Sequence, residues 1–67
     1  MNKLAKRIGS RIVKLRNSQK LTQEKLAYEN GISKGYLSDI EKGNKLPSLS
    51  VLEQIADRLG VDIKELF

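Results

Sequence analysis

The chain has 67 residues, of which 39% are apolar and 4% aromatic, with 13 Lys/Arg, 8 Asp/Glu, one proline and neither histidine nor cysteine. That length holds at most one small domain, and a domain of this size buries only about 60% of the surface its unfolded chain exposes. With no cysteine staple and no His/Cys set for zinc, the core must come from closely packed helices or from dimerisation. The same absences remove Ser-His and Cys-His pairs, thiolate nucleophiles and zinc hydrolysis, so no enzymatic activity, catalytic residue, metal or cofactor is expected. No apolar run exceeds three residues, and Lys3, Lys6 and Arg7 are followed by Arg11 instead of a hydrophobic stretch. Neither a signal peptide nor a membrane span is read, and the expected location is the cytoplasm.

The net charge of +5 is unevenly spread. Residues 1–45 carry 11 Lys/Arg against four Asp/Glu, a net +7, whereas residues 46–67 carry two against four, a net −2. Such segregation points to a polyanion-binding surface built by the first two thirds and a tail with another task.

One proline and no alternating β-branched runs predict an all-α chain. Ile8, Ile12 and Leu15, with Leu4 and Ala5 one turn earlier, place an amphipathic helix over residues 2 to about 17 with Lys/Arg outside. Gly9 within it disfavours helix by about 1 kcal/mol relative to alanine, which points to a close neighbouring helix. Thr22 caps a short second helix, Gln23 to Glu29, with Leu26 and Ala27 inward and Asn30-Gly31 ending it, followed by Ile32 as an apolar plug. Ser33 caps a third helix that runs to about Lys42 with Leu37 and Ile40 inward, and Gly43 stops it. Beyond Asn44, Lys45, Leu46 and Pro47, Ser48 caps a fourth helix bearing Leu49, Leu52, Ile55, Ala56 and Leu59, and Gly60 closes it. Asp62 and Glu65 resemble a capping box for a fifth, last helical turn carrying Ile63, Leu66 and Phe67. The expectation is one compact five-helix bundle over residues 1–67, with no repeat or linker.

Thr22-Gln23-Glu24-Lys25-Leu26-Ala27, Gly31-Ile32-Ser33 and Tyr36-Leu37-Ser38-Asp39-Ile40-Glu41 together have the spacing of a helix-turn-helix over about 22–42. Small Ala27 lets two helices cross closely, Gly31 takes the turn, and Ile32, Leu37 and Ile40 lock the second helix onto the first. With Leu21, Lys42-Gly43, Pro47-Ser48-Leu49, Leu59-Gly60-Val61 and Glu65-Leu66-Phe67, the chain resembles the Cro/phage-repressor, or Xre-like, family of DNA-binding proteins over roughly residues 4–67. The resemblance implies a lambda-repressor-like domain in which helix 3 enters the major groove of double-stranded DNA and helix 2 crosses the backbone. It also implies two protomers on half-sites about 34 Å apart.

By that resemblance, Gln23 meets a phosphate, unless it is simply a solvated residue at the start of a helix. Ser33, Lys34, Gly35 and Ser38 lie at the front of the recognition helix. Lys34 donates either to guanine or to phosphate. Gly35 departs from the family, which usually has a side chain there; it either admits close backbone approach or leaves a base unread. Tyr36 contacts phosphate or a thymine methyl, or fills space between helices, and Asp39 accepts from cytosine or pairs with Lys42. Lys42, Asn44 and Lys45 match the loop that grips the DNA backbone, with Arg11 and Lys14 as flanking phosphate contacts. Arg16 and Glu41 match a structural ion pair. Glu53 and Asp57 read as a solvated face, not a metal site.

Acidic residues of helix 2 touch RNA polymerase in some family activators, which makes Glu24 and Glu29 candidates for that partner. The family also commonly dimerises around helices 4 and 5. A homodimer is therefore expected through the tail over about 60–67, by Val61, Ile63, Leu66 and Phe67. With no further domain in the sequence, no small-molecule ligand is expected, and because Ile8, Ile12 and Leu15 are needed in the core, no membrane partner is expected. The leading expectation is a small homodimeric repressor; the alternative is a protein-interaction module, antitoxin-like or an activator, on the same scaffold.

Overall fold

Every helix begins on a side-chain cap in the computed structural model, which describes residues 2–67. Asn2 accepts from the main-chain N–H groups of Leu4 at 2.8 Å and Ala5 at 3.3 Å, Thr22 from Lys25, Ser33 from Tyr36, and Ser48 from Val51. Each cap satisfies donors that a first helical turn leaves free. They open α1 (Lys3–Ser18), α2 (Gln23–Glu29), α3 (Lys34–Glu41) and α4 (Leu49–Leu59). Met1, included in the single domain expected over 1–67, lies outside the described residues.

The last element corrects the expected count of five α-helices. Residues Ile63–Leu66 form a 3-10 turn, with Glu65 N–H donating to the Asp62 carbonyl at 2.9 Å and Phe67 N–H to that of Lys64 at 3.2 Å. Asp62 does cap it, but its carboxylate accepts from Lys64 N–H at 3.0 Å, so the box suggested by Asp62 and Glu65 is not formed. Four residues suit i→i+3 bonding better than an α-helical turn.

All four α-helices end in the same Schellman pattern. Its long bond runs from Leu21 N–H to the Arg16 carbonyl, Ile32 to Ala27, Asn44 to Asp39 and Val61 to Ala56, at 2.9–3.0 Å. The residue before each donor must be left-handed, which glycine adopts without Cβ conflict. Gly31, Gly43 and Gly60 fill three of these positions, and Lys20, at φ 55°, fills the fourth. The apolar donors Leu21, Ile32 and Val61 then turn back onto the core.

The core is apolar throughout. Ile8 and Ile12 of α1, Leu26 of α2, Leu37 and Ile40 of α3, and Leu52 and Ile55 of α4 are almost fully inaccessible, each contributing about 1.5–3 kcal/mol by leaving water. Leu66 joins them at 0% exposure, which withdraws it from the expected dimer surface: the 3-10 turn packs under α1 and α4 and drives this side chain inside. Val61 and Ile63 are half-buried against the same core, while Phe67 is 36% exposed. Gly9 explains how α1 reaches α3. A Cβ at this position would lie 2.3 Å from the Ile40 carbonyl oxygen and 2.6 Å from that of Glu41, so only glycine lets the helices meet there.

Candidate nucleic-acid interface

Two short helices and one turn set the interface. Leu26 and Ala27 bury the inner face of α2, Gly31 (φ 66°) reverses the chain, and Ser33 starts α3 with its hydroxyl 3.0 Å from Tyr36 N–H. The inner face of α3 is Leu37 and Ile40, both at 0% exposure. Its outer face is open: Lys34 and Gly35 are exposed and Ser38 and Asp39 half-buried, while Lys42, Asn44 and Lys45 are exposed just beyond the helix. Gly35, Ser38 and Lys42 recur at i, i+3 and i+7 and therefore share one face.

The C-terminal end of α3 is held by a charged network. Arg16 grips Glu41 in bidentate fashion, Nε to Oε2 at 2.8 Å and Nη2 to Oε1 at 3.1 Å, and its third nitrogen donates to the Leu21 carbonyl at 2.9 Å. The Gln23 side-chain amide donates to Glu41 Oε1 at 2.8 Å. The pair expected from the resemblance is thus present, with side-chain exposures of 14% and 5%, and it joins α1, the α1–α2 turn, α2 and α3. Charge-assisted, planar pairing of this kind fixes orientation as well as distance. Gln23 therefore has one amide hydrogen committed inside the protein.

Several expected roles change place. Asp39 does not pair with Lys42: the ion pairs among the described residues are Arg16–Glu41 and Arg58–Glu29. The Schellman turn instead uses the Asp39 main-chain carbonyl as acceptor for Asn44 N–H. Tyr36 packs against the core edge and receives the Lys45 ammonium over its ring, 5.7 Å from the centroid, so it is at least a spacer between α3 and the following loop. Arg11 and Lys14 border Leu15, Ser18 and Glu65. At 100° per residue, Arg11 lies about 160° around α1 from Gly9, the residue that touches α3. The geometry therefore sets these two cations beside the tail, away from α3. Glu29 is engaged by Arg58 of α4, while Glu24 and the neighbouring Tyr28, 84% exposed, remain open on α2.

One residue near the interface escaped the sequence reading. Lys6, exposed on α1, backs directly onto Gly43, where an added Cβ would lie 2.8 Å from the Lys6 Cα. That contact sets the Lys6 backbone and Cγ against the turn that follows α3. No local motif announces it, because the contact joins residues 37 apart in sequence. Lys6 of α1 thus adds a third cation next to the loop that carries Lys42 and Lys45.

A helix-turn-helix family model matches residues 12–66. The chain belongs to the helix-turn-helix family of DNA-binding transcriptional regulators. It is similar to the immunity repressor protein of Bacillus phage phi105, 42% identical over 59 residues that make up 88% of this chain and 41% of the repressor. It therefore spans less than half of that relative's length. Control protein C.BamHI of Bacillus amyloliquefaciens is 41% identical over 59 residues, 87% of this chain and 73% of that protein. Among solved structures, the master regulator for biofilm formation SinR, in complex with DNA, matches with a TM-score of 0.82 at 35% identity, covering 88% of this chain and 95% of that one.

Among the described residues, no helix is long and apolar enough to cross a membrane, and no three His/Cys/Asp/Glu side chains are grouped to hold a metal ion.

Proposed function

We propose that the chain is a repressor that reads a two-half-site operator as a homodimer, with α3 in the major groove and α2 across the backbone. One observation carries this reading. The inner face of α3 is locked by Leu37, Ile40 and the Arg16–Glu41–Gln23 network, while its outer face, Lys34, Gly35, Ser38 and Asp39, holds no partner that the fold requires. A rigid helix with an uncommitted polar face, flanked by Lys6, Lys42 and Lys45, suits duplex DNA: side chains on the helix read bases, and lysines on the rim neutralise phosphate. The names of the phage repressor and of the DNA-bound SinR structure support the same reading.

In this arrangement Ser33 is chiefly a helix cap. Lys34 and Ser38 address base edges, and Lys42, Asn44, Lys45 and Lys6 address phosphate. Selection from random-sequence duplexes tests the reading. The expected product is a symmetric pair of half-sites bound about 10³-fold or more above random duplex. Its log-log salt slope should contain about −0.9 for each neutralised phosphate. Equal affinity for selected and random duplex would falsify sequence reading.

A second reading, contact with RNA polymerase or another protein, is favoured by the exposure of Tyr28 beside Glu24, one turn apart on α2. Glu29, exposed but paired with Arg58, is the less open of the two candidate carboxylates.

A further inference from the structure

Four of the five glycines are required by the fold. Gly31, Gly43 and Gly60 have positive φ, and Gly9 lies too close to the α3 carbonyls for a Cβ. Gly35 has no such requirement. It is the second residue of α3, is exposed, has no positive φ, and a Cβ built on it meets nothing within 4 Å. Glycine is the poorest helix former after proline, because it surrenders the most backbone freedom and shields none of the backbone. The folded protein is therefore less stable with Gly35 than it would be with alanine. Nothing inside the molecule gains from the missing side chain.

We infer that Gly35 is the point of closest approach between α3 and the bases of the operator, and so a specificity-determining position. The inference rests on the operator reading above. A major groove about 12 Å wide receives a helix that is about 10–12 Å across with its side chains, so one added methyl at the point of contact lifts the helix outward. Flanking Lys34 and, one turn on, Ser38 then lose the depth at which they meet base edges. Phosphates do not need a bare backbone, since they stand at the groove rims, where the lysines of the loop reach them on flexible stems. The space at Gly35 thus acts as a shape filter: it admits the base edges that fit against a naked turn of helix.

The test uses Gly35→Ala and Gly35→Ser in the full chain, measured by thermal melting and by titration with the selected operator and with random duplex at one fixed salt concentration. Both variants are expected to weaken operator binding at least about fivefold while random-duplex binding stays within about twofold. The alanine variant is expected to melt a few degrees, roughly 2–6 °C, above the parent. A loss on the operator smaller than about fivefold overturns the inference. An equal loss on both duplexes also overturns it, and so does a lower melting temperature for the alanine variant, which would show that the fold uses Gly35 after all. Failure of the parent protein to prefer operator over random duplex sinks the operator reading instead, and that measurement precedes any variant.

Discussion

Glu41 ties α3 to α1 and α2 through one nearly buried carboxylate. Its carboxylate is 5% exposed and accepts three hydrogen bonds, two from Arg16 and one from Gln23. Such a pair adds modest net stability over an apolar replacement, but removing one partner strands the other charge at roughly 3–5 kcal/mol when burial is complete. A domain of this size has a total stability of only several kcal/mol, at about 0.05–0.15 kcal/mol per residue. Glu41→Ala is therefore expected to lower the melting temperature by more than about 10 °C and to weaken DNA binding with it. Circular dichroism melts check this, and an unchanged curve would remove Glu41 from its anchoring role. The pair was legible in the sequence because the family resemblance placed it. The third partner was not, since Gln23 carries a family role at phosphate and only the folded chain brings its amide within 2.8 Å of Glu41.

At the scale of elements, three helix starts and three helix ends were legible from equally local signs. Thr22, Ser33 and Ser48 announce their helices by short polar chemistry that acts over three residues, and all three cap as expected. Gly31, Gly43 and Gly60 announce terminations for an equally local reason. The end of α1 gave no such sign, because Lys20 occupies the left-handed position that glycine fills in the other three helices. A non-glycine residue there costs about 1–2 kcal/mol, less the greater entropy that glycine loses on folding. Lys20→Gly is accordingly expected to stabilise the protein by about 1 kcal/mol, read as a higher urea midpoint at unchanged m-value. A lower midpoint would mean that the Lys20 side chain contributes something its backbone strain conceals. Non-local placements, such as Lys6 against Gly43, Arg58 with Glu29, and Leu66 beneath α1, depend on how helices assemble, which one-dimensional periodicity does not specify. Gly9 is an exception: its unfavourable helix propensity was a local sign of the long-range contact with α3.

For the whole molecule, dimensions decide how many copies an operator needs. The Cα trace spans 27 × 24 × 21 Å, less than the roughly 34 Å between half-sites one helical turn apart. In the proposed arrangement one protomer therefore covers one half-site, and a second copy is needed for the other. With Leu66 buried, the proposed dimer surface narrows to Phe67 and the half-buried Val61 and Ile63, in the −2 end of the chain, where the Phe67 main-chain oxygen accepts from Arg7 of α1 at 3.4 Å. Sedimentation at tens of micromolar protein is expected to show dimer, and Phe67→Lys to shift it to monomer and reduce cooperativity on the two-half-site duplex. A monomer that binds both half-sites independently would exclude this surface.

The division of α3 into an anchored inner side and an unattached outer side also bears on descent. Positions 34, 35 and 38 can be rewritten without disturbing the buried Leu37 and Ile40 or the Arg16–Glu41 clasp. A duplicated copy of this chain could therefore acquire a new DNA address through a few surface substitutions while inheriting its folding intact. In that sense α3 is a replaceable key on a fixed handle.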